Sequence, residues 1–185
     1  MNANDDVKRR LRPVAGRKRP ATGVVQGAPL IADRGNDRIL LVDPAHRILW
    51  PGVRGSAPGL PTTPDDAYPL PNGEVAVADA YNCRVVWIRD HRIVRQLGRT
   101  GVCAHDPPRT FGAVNGDTPL RDGGMLISEF PGHWLDEVGP SGGLRWSVQA
   151  PVRYPTDPQL LTHGRMRYRC PTRTSRCSIR RPPAL

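Results

Sequence analysis

Three aspartates recur at one position of a repeated pattern and could supply the chemistry of a ligand or metal site. Asp66, Asp117 and Asp157 each stand at the start of a predicted inner strand of successive copies. If those strands surround a common axis, the carboxylates converge near it and could hold Ca²⁺ or a cationic ligand, because hard oxygen ligands suit that metal. The alternative is that each aspartate caps its own turn by accepting backbone N–H bonds.

Two further polar groups fall on the same predicted face. Asp79 and Asn82 are repeated 46 residues earlier as Asp33 and Asn36, so they are also explained as turn formers. His105 lies in an unrepeated insertion, residues 99–115, where it could act as acid, base or ligand, or be merely solvated. No catalytic set is assigned. The candidate ligand face comprises Asp66, Asp79, Asn82, His105, Asp117 and Asp157.

Cys83 and Cys103 lie in loops that are predicted to be neighbours. They are either a disulfide or two unrelated thiols. A disulfide closing a loop of this size would stabilise the fold by about 3 kcal/mol and would indicate an oxidising compartment. Zinc is disfavoured because the sequence has no Cys-x₂-Cys or His-x₃-His spacing.

The elements that must position these residues are short β-strands. Residues 64–98 hold four of them, predicted at 67–70, 74–78, 84–88 and 92–97. Asn72-Gly73 predicts a type I′ hairpin turn between the first two strands. Copies of this unit recur at offsets of 46 and 50 residues, and four strands in 40–50 residues are typical of β-propeller blades.

The repeat predicts an all-β fold, a partial β-propeller of about three four-stranded antiparallel blades plus a stub. We place the blades at residues 22–50, 64–98 and 116–149, with the stub at 154–164. Residues 1–21 form a basic tail and the Arg-rich residues 165–185 lie outside the repeat; both tails are predicted to be disordered. Because propellers close with typically four to eight blades, we expect an incomplete copy.

The strand order also predicts which loops share a face. In a blade whose strands A to D run up and down, the B–C and D–A loops meet on one face and carry the candidate residues.

The net charge of +10 belongs to the tails. Residues 1–20 carry +5 and residues 165–185 carry +7, whereas the middle of the chain carries −2. A specific nucleic-acid partner would require a basic face on the folded part, so none is predicted. The sequence has no apolar run long enough to span a membrane, and its N-terminal region has no secretory signal segment.

The segments IADRGNDRILLVD, VADAYNCRVVWI and PDDAYPLPNG, with the strand ends ILW and LRW, carry a family resemblance over about residues 27–164. The chain resembles bacterial propeller-repeat proteins of the pyrroloquinoline-quinone-like, NHL-like and arylsulfotransferase-like group. The resemblance implies a quinone cofactor for quinoproteins, a catalytic histidine for sulfotransferases, and an extracytoplasmic location.

These observations favour a non-enzymatic binding or scaffold module whose partner is a small molecule or a protein. The alternative is an enzyme of the same group, a quinone-dependent oxidoreductase or an arylsulfotransferase-like protein, with its site on the B–C and D–A loop face.

Overall fold

A computed structural model describes residues 28–53, 60–161, 165–169, 176–180 and 182–183. The described chain is built of fourteen β-strands in four antiparallel sheets. The strands are β1 Leu30–Asp33, β2 Arg38–Val42, β3 Ile48–Trp50, β4 Pro64–Pro69, β5 Val75–Asp79, β6 Arg84–Arg89, β7 Arg92–Leu97, β8 Ala113–Pro119, β9 Met125–Phe130, β10 Trp134–Val138, β11 Leu144–Gln149, β12 Thr156–Leu161, β13 Arg165–Arg169 and β14 Arg176–Arg180.

Each sheet is formed by strands that follow one another in the chain. The sheets are blade 1 (β1–β3), blade 2 (β4–β7), blade 3 (β8–β11) and blade 4 (β12–β14). This arrangement confirms the all-β prediction and the four strands predicted within residues 64–98. The first strand predicted for blade 1, residues 22–26, lies outside the described residues, as does the basic tail 1–21.

The core lies between the blades. Strand β5 is buried along its whole length because it packs on both faces, which explains its unbroken run of small and β-branched residues. Val85, Trp87 and Ile127 belong to an apolar cluster that joins blade 2 to blade 3. Comparable clusters lie between blades 1 and 2 and between blades 3 and 4. The blades are therefore held by apolar burial between stacked sheets.

The turn at Asn72-Gly73 connects β4 to β5 as predicted, but it is not type I′. Only Gly73 has a positive φ, 82°, and its N–H donates to the Leu70 carbonyl at 3.0 Å. The Leu70 N–H donates to the Glu74 carbonyl at 2.8 Å, which closes the hairpin. This is the longer hairpin loop in which a left-handed glycine ends the turn.

Strands β13 and β14 differ from the expected disorder of residues 165–185. Both pair in an antiparallel sheet with β12. Met166 and Tyr168 are buried against Trp146 and its neighbours, and the alternating arginines flank them. In β13 the apolar residues Met166 and Tyr168 alternate with arginines, and the sequence interpretation missed this strand because it considered the arginine content and not the alternation.

Candidate functional site

Strand β1 of blade 1 and strand β5 of blade 2 end in the same way, and the turns that follow them are built alike. In blade 2, Arg84 Nε donates to Asp79 Oδ2 at 2.7 Å, and Asn82 Nδ2 lies 3.0 Å from both carboxylate oxygens. In blade 1, Arg38 and Asn36 contact Asp33 in the same way, at 2.6 and 2.8 Å. The polar atoms of Asp79 and Asn82 are thus engaged partly within the turn, as the turn-former interpretation expects, and partly with the preceding segment, where the Thr62 N–H donates to Asp79 Oδ1 at 2.8 Å and Asn82 Nδ2 donates to the Leu60 carbonyl at 3.2 Å.

Blade 3 departs from this arrangement. The position equivalent to Asp79 is Glu129, and the position equivalent to Arg84 is Trp134, so the paired guanidinium is replaced by an indole. The partner of Glu129 is His105, whose Nδ1 lies 3.0 Å from Glu129 Oε1. The Gly112 N–H donates to the second oxygen of Glu129. The insertion therefore supplies the contacts that Arg84 supplies in blade 2.

His105 is held on several sides. Its Nε2 lies 3.3 Å from Ser147 Oγ, and its ring stacks on Trp134 with centroids 4.0 Å apart and planes 7° apart. Burial lowers the pKa of His105, although the nearby Asp136 and Asp106 carboxylates oppose that change. At neutral pH the imidazole is therefore predominantly neutral.

Asp136 lies in β10 beside this group and is fully buried. Asp136 is near the Glu129 and Ser147 side chains, yet neither of its carboxyl oxygens makes a hydrogen bond of ordinary geometry with the described residues. Burial raises the pKa of Asp136 to about 9, and the adjacent Glu129 carboxylate contributes to the rise. Burial also raises the pKa of Glu129. Donor atoms of His105, Glu129 and Asp136 all lie within 4.8 Å of one another; we call these three residues the His105 cluster.

The insertion that carries His105 is anchored to blade 2. Cys83 and Cys103 form a disulfide with their Cα atoms 5.2 Å apart, which confirms the predicted pairing. The Gly101 N–H donates to the Asn82 carbonyl at 3.0 Å, and Phe111 is buried between blades 2 and 3. The disulfide and the His105 cluster thus attach one insertion to two blades.

A pocket of about 330 Å³ opens beside the insertion. It is lined by Tyr81, Cys83, Cys103, His105, Gly112, Ala113, Phe130 and Pro131. The Tyr81 side chain is 59% exposed, and the Arg34 guanidinium lies 5.6 Å from its ring centroid. We call this the Tyr81 pocket; it lies among B–C and D–A loops, the face on which the sequence predicts a site.

The inner aspartates lie close enough to influence one another. Burial raises the pKa of Asp66 to about 6, with Asp157 contributing, and raises the pKa of Asp117 well above its usual value, with Asp66 contributing. The Ala67 N–H donates to Asp66 Oδ1 at 2.9 Å, which is the capping alternative. Asp117 is near the Ala78 amide, yet neither of its oxygens makes a hydrogen bond of ordinary geometry with described residues.

Asp66, Asp117 and Asp157 do not have oxygens that all lie within 4.8 Å of one another, unlike the His105 cluster. The Ca²⁺ site at these three aspartates stays a prediction.

Sequence reasoning identified His105 but missed Asp136, Tyr81 and Phe130. The signal for Asp136 was an acid at the strand position that Val86 occupies in blade 2, where the alternation requires an apolar residue. Tyr81 and Phe130 gave no signal, because a single aromatic residue beside a turn is common. No helix within the described ranges is long and apolar enough to cross a membrane.

No protein-family model matches the sequence, and neither does any curated protein. The fold is similar to that of a streptogramin B lyase, with a TM-score of 0.60, 12% identity, and coverage of 85% of this chain and 49% of that one. The WD40 β-propeller domain of Doa1 gives a TM-score of 0.56 at 10% identity, covering 84% of this chain and 51% of that one.

A virginiamycin B lyase from Staphylococcus aureus gives a TM-score of 0.52 at 14% identity, covering 83% of this chain and 52% of that one. The chain therefore spans about half the length of these structures. At such identities the similarity shows the fold alone, and that fold is the β-propeller. These neighbours include enzymes and a WD40 domain, so they do not separate a binding module from an enzyme.

Proposed function

We propose that the chain is a non-enzymatic binding module built on propeller blades, and that it binds a small molecule with an aromatic or apolar ring in the Tyr81 pocket. The observation that carries this proposal is the pocket itself, a recess of about 330 Å³ with aromatic and apolar lining on the loop face. Ligand sites of proteins are concave and mostly apolar, and this volume falls within their usual range.

The lining supports an aromatic or apolar ligand. Tyr81 offers an exposed ring at the pocket, and Phe130 and Pro131 provide apolar surface. A ring-bearing ligand could stack on Tyr81 and keep its polar groups near solvent. The disulfide between Cys83 and Cys103 fixes two lining residues before binding, which lowers the entropy lost when a ligand binds.

Binding without chemistry is favoured by the state of His105. Its two ring nitrogens face Glu129 and Ser147, and one face of its ring is covered by Trp134. A general base must reach the proton that it abstracts. Here both nitrogens are already engaged with the protein.

The test is a ¹H–¹⁵N NMR titration of the oxidised full chain with indole at millimolar concentration. We expect shift changes at the amides of Tyr81, Phe130 and Ala113, and binding weakened about fivefold or more by Tyr81→Ala. Ile48→Ala is the matched control, because Ile48 is 50% exposed on blade 1 and should leave binding unchanged. Shift changes confined to other surfaces, or insensitivity to Tyr81→Ala, would contradict the proposal.

A second candidate is an enzyme of the propeller group, quinone-dependent or arylsulfotransferase-like. It is favoured by one observation: His105 lines the pocket while Glu129 orients its imidazole, an arrangement suited to a general base. Under this alternative a bound compound would be converted by the native chain but recovered unchanged from the His105→Gln variant.

The disulfide also supports an extracytoplasmic location, since disulfides persist in oxidising compartments. Alkylation of the native protein in its source cells followed by mass spectrometry would find both cysteines protected. Alkylated thiols at Cys83 and Cys103 would contradict this.

A further inference from the structure

We propose that His105, Glu129 and Asp136 form a binding site for a divalent transition-metal ion, with Zn²⁺ the ion that suits it best. The site lies between the insertion and blade 3, and it does not depend on the ligand proposed for the Tyr81 pocket. Its ligands would be one imidazole nitrogen and two carboxylates.

The spacing of the donor atoms fits such an ion. Zn²⁺ binds nitrogen and oxygen ligands at about 2.0–2.2 Å, so two neighbouring ligands of a tetrahedral site lie roughly 3.3–3.6 Å apart. The distance from His105 Nδ1 to Glu129 Oε1 is 3.0 Å, and donor atoms of all three residues lie within 4.8 Å. The cluster could therefore close around one ion with small side-chain movements.

Asp136 provides the independent reason to expect a ligand. Its side chain is fully buried and points into the cluster, where the Glu129 and Ser147 side chains face it, yet neither carboxyl oxygen makes a hydrogen bond of ordinary geometry with the described residues. Buried polar groups in proteins are normally hydrogen-bonded, and an exception needs an explanation. A cation between Asp136 and Glu129 would supply the missing partner for Asp136.

The surroundings of His105 suit a metal ligand. If Nδ1 binds the ion, Nε2 carries the proton and can donate it to Ser147 Oγ, which lies 3.3 Å away. Metal-binding histidines usually donate their second N–H in this way, which fixes the tautomer and the ring orientation. The stacked Trp134 ring restrains the plane of the imidazole further.

The ligand set selects among divalent ions. An imidazole nitrogen favours Zn²⁺ over Mg²⁺ and Ca²⁺, which take oxygen ligands. A neutral imidazole and two carboxylates would also match the charge of one Zn²⁺. Three protein ligands leave a coordination position that water can occupy.

The test uses the oxidised full chain, stripped with a chelator and titrated with Zn²⁺ against a chromophoric competitor. We expect one tight equivalent, with binding weakened roughly 100-fold or more by His105→Gln or Asp136→Asn. Asp43→Asn is the matched control: it also removes a buried carboxylate, but one that pairs with Arg47 on blade 1 outside every candidate site, and it should leave Zn²⁺ affinity unchanged. Mg²⁺ and Ca²⁺ should not compete.

Absence of a tight equivalent in the native chain would overturn the proposal, as would binding that survives both cluster variants. His105→Gln keeps the test decisive if Asp136→Asn fails to fold, because His105 lies in a loop and its side chain is 22% exposed. Indole binding is measured on the same stripped sample, so that the two proposals are tested separately. A failure to bind Zn²⁺ contradicts only the metal site, and a failure to bind indole contradicts only the Tyr81 pocket.

Discussion

Blades 2 and 3 each bury an acidic side chain at the end of an equivalent strand, but the partners of that side chain differ. At the end of β5, the buried carboxylate of Asp79 is paired with the buried guanidinium of Arg84. At the end of β9, Glu129 meets a neutral histidine and a second carboxylate, and Trp134 stands where the arginine would be. The acidic residue of this repeat position is thus paired with an arginine in blades 1 and 2, but not in blade 3. A departure of this kind is where a site can form.

The largest expected effect is on the ion pair of blade 2. Asp79→Ala leaves Arg84 buried without its carboxylate, so we expect the free energy of unfolding to fall by about 3–5 kcal/mol. Asp33→Ala removes the equivalent pair of blade 1, whose side chains are partly exposed, and should cost distinctly less. Urea denaturation of both variants measures the difference. Equal losses in the free energy of unfolding would mean that burial of the ion pair does not determine how much the pair stabilises the fold.

The disulfide joins the two blades through the insertion. Because it closes a loop with a sequence separation of 20, Cys103→Ser should lower the free energy of unfolding by about 3 kcal/mol. Denaturation of the native chain with and without reductant provides the same comparison without a substitution. A reduced chain as stable as the oxidised one would show that the disulfide does not stabilise the fold.

The raised pKa of Asp66, in the first strand of blade 2, makes the free energy of unfolding depend on pH. The pKa of Asp66 is raised from 3.8 to about 6, so the folded chain holds this proton more tightly than the unfolded chain. Its contribution to stability is therefore complete below 3.8 and is lost as the pH rises to about 6. Asp66→Asn should make the urea midpoint less sensitive to pH in that window.

Asp122→Asn is the control, because the contribution of Asp122 to stability should change with pH in the opposite direction to that of Asp66. The Gly124 N–H and the Arg145 side chain lower the pKa of Asp122, so its contribution is present above 3.8 and is lost below it. If both variants changed the pH dependence of the urea midpoint in the same direction, the raised pKa given to Asp66 would be wrong.

The smallest expected effect is on Asp136. In chelator-treated protein, Asp136→Asn replaces a carboxyl group whose oxygens make no hydrogen bond of ordinary geometry with the described residues, and it keeps the shape of the side chain. We expect the free energy of unfolding to change by no more than about 1 kcal/mol at neutral pH. A loss as large as that of Asp79→Ala would show that Asp136 is structural.

The sequence predicted blade 2 closely because its signals are local. Alternating valines and the Asn-Gly turn located β5 to within one residue at each end, and β7 was predicted with its observed bounds. The disulfide was also predictable, because the up-and-down strand order brings the loops of Cys83 and Cys103 to one face. Both inferences needed only the period of the repeat and the direction of its strands.

The rest required the tertiary structure. The His105 cluster joins a loop residue to two strands, and its members are separated by up to 31 positions in the chain. No local period brings them together. Strand β13 was missed for a different reason: its arginines dominate the composition, although Met166 and Tyr168 alternate with them and supply the buried face.

The most direct measurement is the anomalous diffraction of Zn²⁺-soaked crystals of the full chain at the zinc edge. We predict a peak bounded by His105, Glu129 and Asp136, and none at the Asp79–Arg84 pair, where the guanidinium already occupies the position of a cation. The contrary result is an ordered His105 cluster without a peak, its two carboxylates sharing a proton. In that case blade 3 would be structural, as blades 1 and 2 are.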